Sequence, residues 1–88
     1  LIHSMEIIMI KKKGCQPCKI FEPFVKEQAN KYSLGFRTLM GETMPEKFQP
    51  PFYPYFYLYE DKNIIESWGG TSEKKLESVL KRKLKKQN

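Results

Sequence analysis

Two cysteines, one histidine and the lack of any long apolar run bound what this chain can be. Two cysteines are too few for the cross-linked framework of a small secreted scaffold. Cys15 and Cys18 stand three positions apart, so a bridge between them closes a very short loop and removes only about 2 kcal/mol of unfolded-chain entropy. A stabilising staple is a poor explanation for such a pair. A tetrahedral metal site takes about four ligands, whereas the chain offers the two cysteines and His3. A metal centre would need a second copy of the chain, so none is expected. No window approaches the roughly 18 apolar residues of a membrane span. The short apolar run Ile7 to Ile10 precedes Lys11, Lys12 and Lys13 instead of following them, the reverse of a secretory leader. A cytoplasmic location and no membrane partner are the expectations.

What is present is enough for one folded domain. Hydrophobic residues make up 40% of the 88-residue chain and aromatics 14%, well above the disordered regime. This length holds one core and no second domain. Leu1-Ile2-His3-Ser4 ahead of Met5 reads as a remnant outside the fold, leaving residues 5–88 as a single, monomeric domain. The formal charge of +6 is concentrated in Lys11–Lys13 and in Lys81, Arg82, Lys83, Lys85 and Lys86. Such blocks attract acidic surfaces or nucleic acid. The second block also suits the solvated end of a helix, where cations complement the macrodipole, and nucleic acid is not the expected partner.

Hydrophobic periodicity orders the elements. Glu6 to Lys11 is a short β-branched run that reads as a strand. Between Gln16 and Tyr32, the residues Ile20, Phe21, Phe24, Val25 and Ala29 recur at helical spacing, while Lys19, Glu22, Lys26 and Glu27 point elsewhere. Pro23 inside this pattern is expected to kink the helix. Leu34 to Met40 reads as a second strand, with at most one helical turn at Pro45 to Phe48. Pro54 to Glu60 and Asn63 to Trp68 form a hairpin across Asp61-Lys62-Asn63, with Tyr55, Phe56, Tyr57 and Tyr59 read as core strand. After Gly69-Gly70, Thr71 or Ser72 can cap a last helix whose stripe is Leu76, Val79, Leu80 and Leu84. The order β-α-β-β-β-α predicts an α/β fold, a four-stranded mixed sheet flanked by helices with the first two strands parallel.

The cysteines then fall between the first strand and the first helix. Positions i and i+3 of a helix lie about 5 to 6 Å apart at Cβ, near enough to open and close a disulfide without refolding. Cys15 at the helix start faces unpaired amides and the positive end of the dipole, which favour thiolate over thiol. Pro17 suits a helix start, where its missing N–H has no partner to lose, and it stiffens the Gln16-Pro17 link between the sulfurs. Cys18, one turn in, is expected to be more shielded. The chemistry these positions permit is thiol-disulfide exchange: Cys15 attacks a disulfide, and Cys18 resolves the mixed disulfide. A binding module that docks a protein through its basic face and aromatic loop, with redox incidental, is the alternative.

From Cys15 to Tyr32, CQPCKIFEPFVKEQANKY resembles thioredoxin: C-x-P-C-K, a proline five residues after the second cysteine, then glutamate, alanine and a closing tyrosine. The segment from Pro45 to Trp68, a proline opening a hydrophobic strand and hairpin, is similar to the cis-proline region of that family. The resemblance implies a cis Tyr53-Pro54 bond and a substrate-binding role for Tyr53 and Pro54, with Phe52 beside them. It also implies a protein-disulfide reductase with Cys15 and Cys18 as the redox pair, no bound cofactor, and disulfide-containing proteins as substrates. Several positions depart from the pattern. Gly14 replaces a tryptophan, Met9 stands where a buried acid is usual, and the sequence opens at the strand before the cysteines, where the family usually carries a further strand and helix ahead of it. The shorter topology, Lys12 and Gly69-Gly70-Thr71-Ser72 look like glutaredoxin, where such positions contact glutathione. Glutathione or a thioredoxin-reductase-like protein is therefore the expected electron donor.

Overall fold

A computed structural model describes residues 5–84. The proposed remnant at 1–4, and with it His3, lies outside the described residues, as do Lys85 and Lys86. Strand β1 (Met5–Lys11) leads into helix α1 (Gln16–Lys31) and strand β2 (Gly35–Met40). After short 3-10 turns at Gly41–Thr43 and Glu46–Phe48 come β3 (Tyr55–Glu60), β4 (Asn63–Gly69) and helix α2 (Glu73–Leu84). The sheet order is β2-β1-β3-β4, with β1 parallel to β2 and the remaining pairs antiparallel. This is the mixed sheet that the element order predicts. The hairpin turn places Asp61 and Lys62 both at positive φ, the backbone of a two-residue turn that matches strand twist.

Strand alternation decides what faces the helices. Met5, Ile7 and Met9 of β1, Phe56 and Leu58 of β3, and Trp68 of β4 share one core with Phe21, Val25 and Ala29 of α1 and with Leu76, Val79 and Leu80 of α2. Phe56 stacks on Trp68 at 5.4 Å and meets Phe21 edge-on at 6.0 Å. Both α-helices therefore cover the same face. The opposite face carries Ile8 and Ile10, paired across the strands with Tyr57 and Tyr55. This corrects the reading of the aromatic strand: Phe56 is core, whereas Tyr55, Tyr57 and Tyr59 are half-buried on the face away from the helices. Burial, followed by the neighbouring Tyr55 and Tyr59, pushes the Tyr57 hydroxyl above its ordinary pKa of 10.0.

The helix ends follow their residues. Helix α1 continues through Pro23 to a cap at Tyr32. The α2 cap is Ser72, whose hydroxyl accepts from the Lys75 amide at 3.0 Å. Ser72 and Thr71 both satisfied the sequence criterion for that cap, and Ser72 fills it.

Candidate active site

Gly14 sets up the start of α1. The Cys15 amide donates to the Lys12 carbonyl at 3.1 Å, closing a turn in which Gly14 takes φ +79°. A side chain there would meet no neighbouring atom, so the demand for glycine comes from the backbone, in a region L-residues rarely enter. Cys15 follows as the N-cap of α1, with extended backbone, and its Sγ accepts from the Cys18 amide at 3.2 Å. No acidic residue stands in the first turn, so the positive helix end is left to the cysteine sulfur.

The two sulfurs are bonded to each other, with Cα atoms 5.3 Å apart. Their environments differ. Cys15 is half-buried at the surface, while Cys18 is 1% exposed and belongs to the core cluster. One cavity reaches both and is bordered by Lys12, Lys13, Gln16 and Lys19. It is also lined by Lys11, Glu22 and Met40, which sequence reading did not place there. Glu22 falls four residues after Cys18, and that spacing was the available signal. Lys11 reaches across from the end of β1 to pair with it, Nζ to Oε1 at 2.8 Å.

The remaining predicted residues form a second group. The Tyr53-Pro54 peptide is cis, and Pro54 is buried. Its carbonyl accepts from the Gly70 amide at 2.9 Å, which ties Gly69-Gly70 to this segment. Phe52 is 50% exposed and packs edge-on against Tyr55 at 5.7 Å. Lys12 joins the two groups, its Nζ lying 5.7 Å from the centre of the Tyr53 ring, within cation-π reach. The same ring lies against Gly41, where a Cβ would run into the tyrosine ring and hydroxyl. Thr71 and Ser72 are exposed, and the Ser72 hydroxyl is engaged in its cap. Among the described residues no group of three or more His, Cys, Asp or Glu is placed to hold a metal ion, and no helix is long and apolar enough to cross a membrane.

A half-exposed sulfur at a helix start, bonded to a buried sulfur one turn later on a four-stranded mixed sheet, defines a thioredoxin-fold protein with a Cys-x-x-Cys pair. Solved structures agree on the fold. Thioredoxin f2 of Chlamydomonas reinhardtii superposes with a TM-score of 0.79 at 16% identity, over 91% of this chain and 79% of that one. The germline-specific thioredoxin Deadhead of Drosophila melanogaster gives 0.71 at 25% identity, over 90% and 80%. A chain from the complex of ferredoxin:thioredoxin reductase with thioredoxin f2 gives 0.79 at 18%, over 91% and 77%. No protein-family profile and no curated protein matches the sequence.

Proposed function

We propose that this protein is a dithiol-disulfide oxidoreductase that reduces protein disulfides, with Cys15 as nucleophile and Cys18 as resolving thiol. The observation that carries this reading is the asymmetry of the bonded pair. Cys15 caps α1 with its sulfur on the Cys18 amide and remains half-buried, whereas Cys18 is enclosed. An accessible sulfur in a field that favours thiolate is the one to attack a substrate. A shielded thiol on the same helix face is the one to displace it.

In the reductive half-cycle, the Cys15 thiolate attacks one sulfur of a substrate disulfide and forms a mixed disulfide. Cys18 then attacks Cys15, the second substrate thiol leaves, and the Cys15–Cys18 bond is restored. The substrate gains two electrons and the protein dithiol loses two. Phe52 and Tyr53, beside the buried Pro54, are the residues proposed to line the substrate groove. An external donor must reopen the pair, either glutathione or a reductase of the kind found with thioredoxin f2 in the neighbouring complex.

Insulin reduction with dithiothreitol as donor tests the reading. The wild-type protein is expected to accelerate precipitation of the insulin B chain, and Cys15→Ser to abolish the acceleration. Equal inactivity of the two proteins would leave a partner-docking module as the better description. Replacing dithiothreitol by glutathione or by a thioredoxin reductase with its electron source identifies the donor.

A further inference from the structure

Resolution requires Cys18 as thiolate, yet the structure encloses that sulfur. Cys18 is 1% exposed and shares the core with Met9, Phe21 and Val25. Apolar burial favours the protonated thiol. A proton acceptor within the site is therefore needed for the second step, and Met9 from the strand beneath supplies none.

Among the described residues, the cavity that holds both cysteines is lined by a single carboxylate, Glu22. It lies one turn after Cys18 on the same helix face, with Cβ atoms about 5 to 6 Å apart by helical geometry. Helical side chains lean toward the N-terminus, which aims the Glu22 carboxylate back at the turn containing Cys18. The alternation that turns Met9 toward the helices also turns Lys11 that way, opposite Met40 of β2. From there Lys11 Nζ reaches Glu22 Oε1 at 2.8 Å, with the two side chains only 29% and 30% exposed. The ion pair ties the half-buried carboxylate to the end of β1, at the border of the cavity.

We propose that Glu22, held by Lys11, is the proton acceptor for Cys18 in the resolving step. The inference rests on the redox cycle proposed above. With substrate attached to Cys15, the Cys18 thiol gives its proton to the Glu22 carboxylate. The Cys18 sulfur then attacks Cys15 Sγ, the Cys15–substrate bond breaks, and the Cys15–Cys18 bond forms. The departing substrate sulfur carries away the electron pair and is protonated from Glu22 or solvent. The charged groups around the acceptor are Lys11 from β1, Lys12 and Lys13 from the loop, and Lys19 and Lys26 on its own helix; β2 contributes the neutral Met40. The remaining nearby carboxylate, Glu42, is taken by the Lys13 amide at 3.1 Å.

Rapid mixing of the reduced protein with dithiobis(nitrobenzoic acid) separates the two steps. Cys15 attack releases a first equivalent of coloured thiolate, and Cys18 resolution releases a second. Glu22→Gln is expected to slow the second phase by about tenfold or more near pH 7, within what a positioned proton acceptor supplies. The deficit should narrow as pH rises, because hydroxide increasingly replaces the carboxylate as acceptor of the Cys18 proton, while the first phase changes by less than about threefold. Glu22→Asp should recover part of the rate, and Lys11→Met should lose part of it. A second phase unchanged by Glu22→Gln at every pH, or slowed by the same factor throughout, would overturn the assignment. Loss of the first phase in the wild-type protein would overturn the redox cycle itself.

Discussion

Cys15 gathers at one atom several influences that each favour negative charge. Its sulfur accepts from the Cys18 amide, the first turn of α1 carries no acid, and exposed Lys12, Lys13 and Lys19 surround it. A helix N-terminus contributes about 0.3 to 1 kcal/mol toward an exposed anion, more when partly buried. Exposed lysines add less in salt. In the reduced protein, thiolate absorbance should therefore titrate below the ordinary cysteine value of about 8.5, and Cys15→Ser should remove that transition. A titration at or above the ordinary value would mean an unactivated thiol. The cysteines were legible in the sequence because their relation is local, with three residues of spacing and a proline between. The Lys11–Glu22 pair was not. Helical periodicity only sorts Glu22 among the residues that point away from the apolar stripe, and its partner arrives from another strand.

Elements divide the same way between local and tertiary signals. The hairpin, the 3-10 turn at Glu46–Phe48 and the cap of α2 were readable because turn and cap chemistry acts within a few residues. Which face of the sheet the helices cover was not readable. Glu6 to Lys11 is apolar on both faces, and the tyrosines of β3 have high strand propensity wherever they point. Pairing with Ile8 and Ile10 shows that they line the far side. The cap gives a test at this scale. Ser72 satisfies the Lys75 amide at 3.0 Å, and its backbone carbonyl receives the Leu76 amide at 3.2 Å, on the turn that carries a fully buried core leucine. Ser72→Ala is expected to lower stability by about 1 kcal/mol, read as a lower urea midpoint with unchanged slope. Ser72→Asp, which keeps a capping oxygen, should restore most of it. If Ser72→Ala left the midpoint in place, the cap would not be holding α2.

At the scale of the molecule, the charge distribution bears on which disulfides reach Cys15. The chain carries a formal charge of +6. Several cations are neutralised locally: Lys11 by Glu22, Arg37 by Glu6 at 3.2 Å, and Arg82 with Lys83 by Glu66 at 3.1 and 3.5 Å. Lys12, Lys13 and Lys19 remain exposed at the border of the cysteine cavity, so part of the surplus positive charge stands where the proposed reaction would bring a substrate. A field of this kind acts mainly on encounter rates and is screened within about 10 Å at 0.1 M salt. Reduction of an acidic disulfide protein should therefore lose kcat/KM as salt rises from roughly 0.02 to 0.3 M, over which the screening length falls severalfold. The loss should sit in KM, because the exchange step occurs after contact. A small neutral disulfide should respond much less, which separates steering from any effect of salt on the thiolate. Lys12→Gln with Lys13→Gln should flatten the response to the acidic substrate. If the neutral and acidic substrates fell together, the lysines would be acting on the Cys15 sulfur and not on the choice of partner.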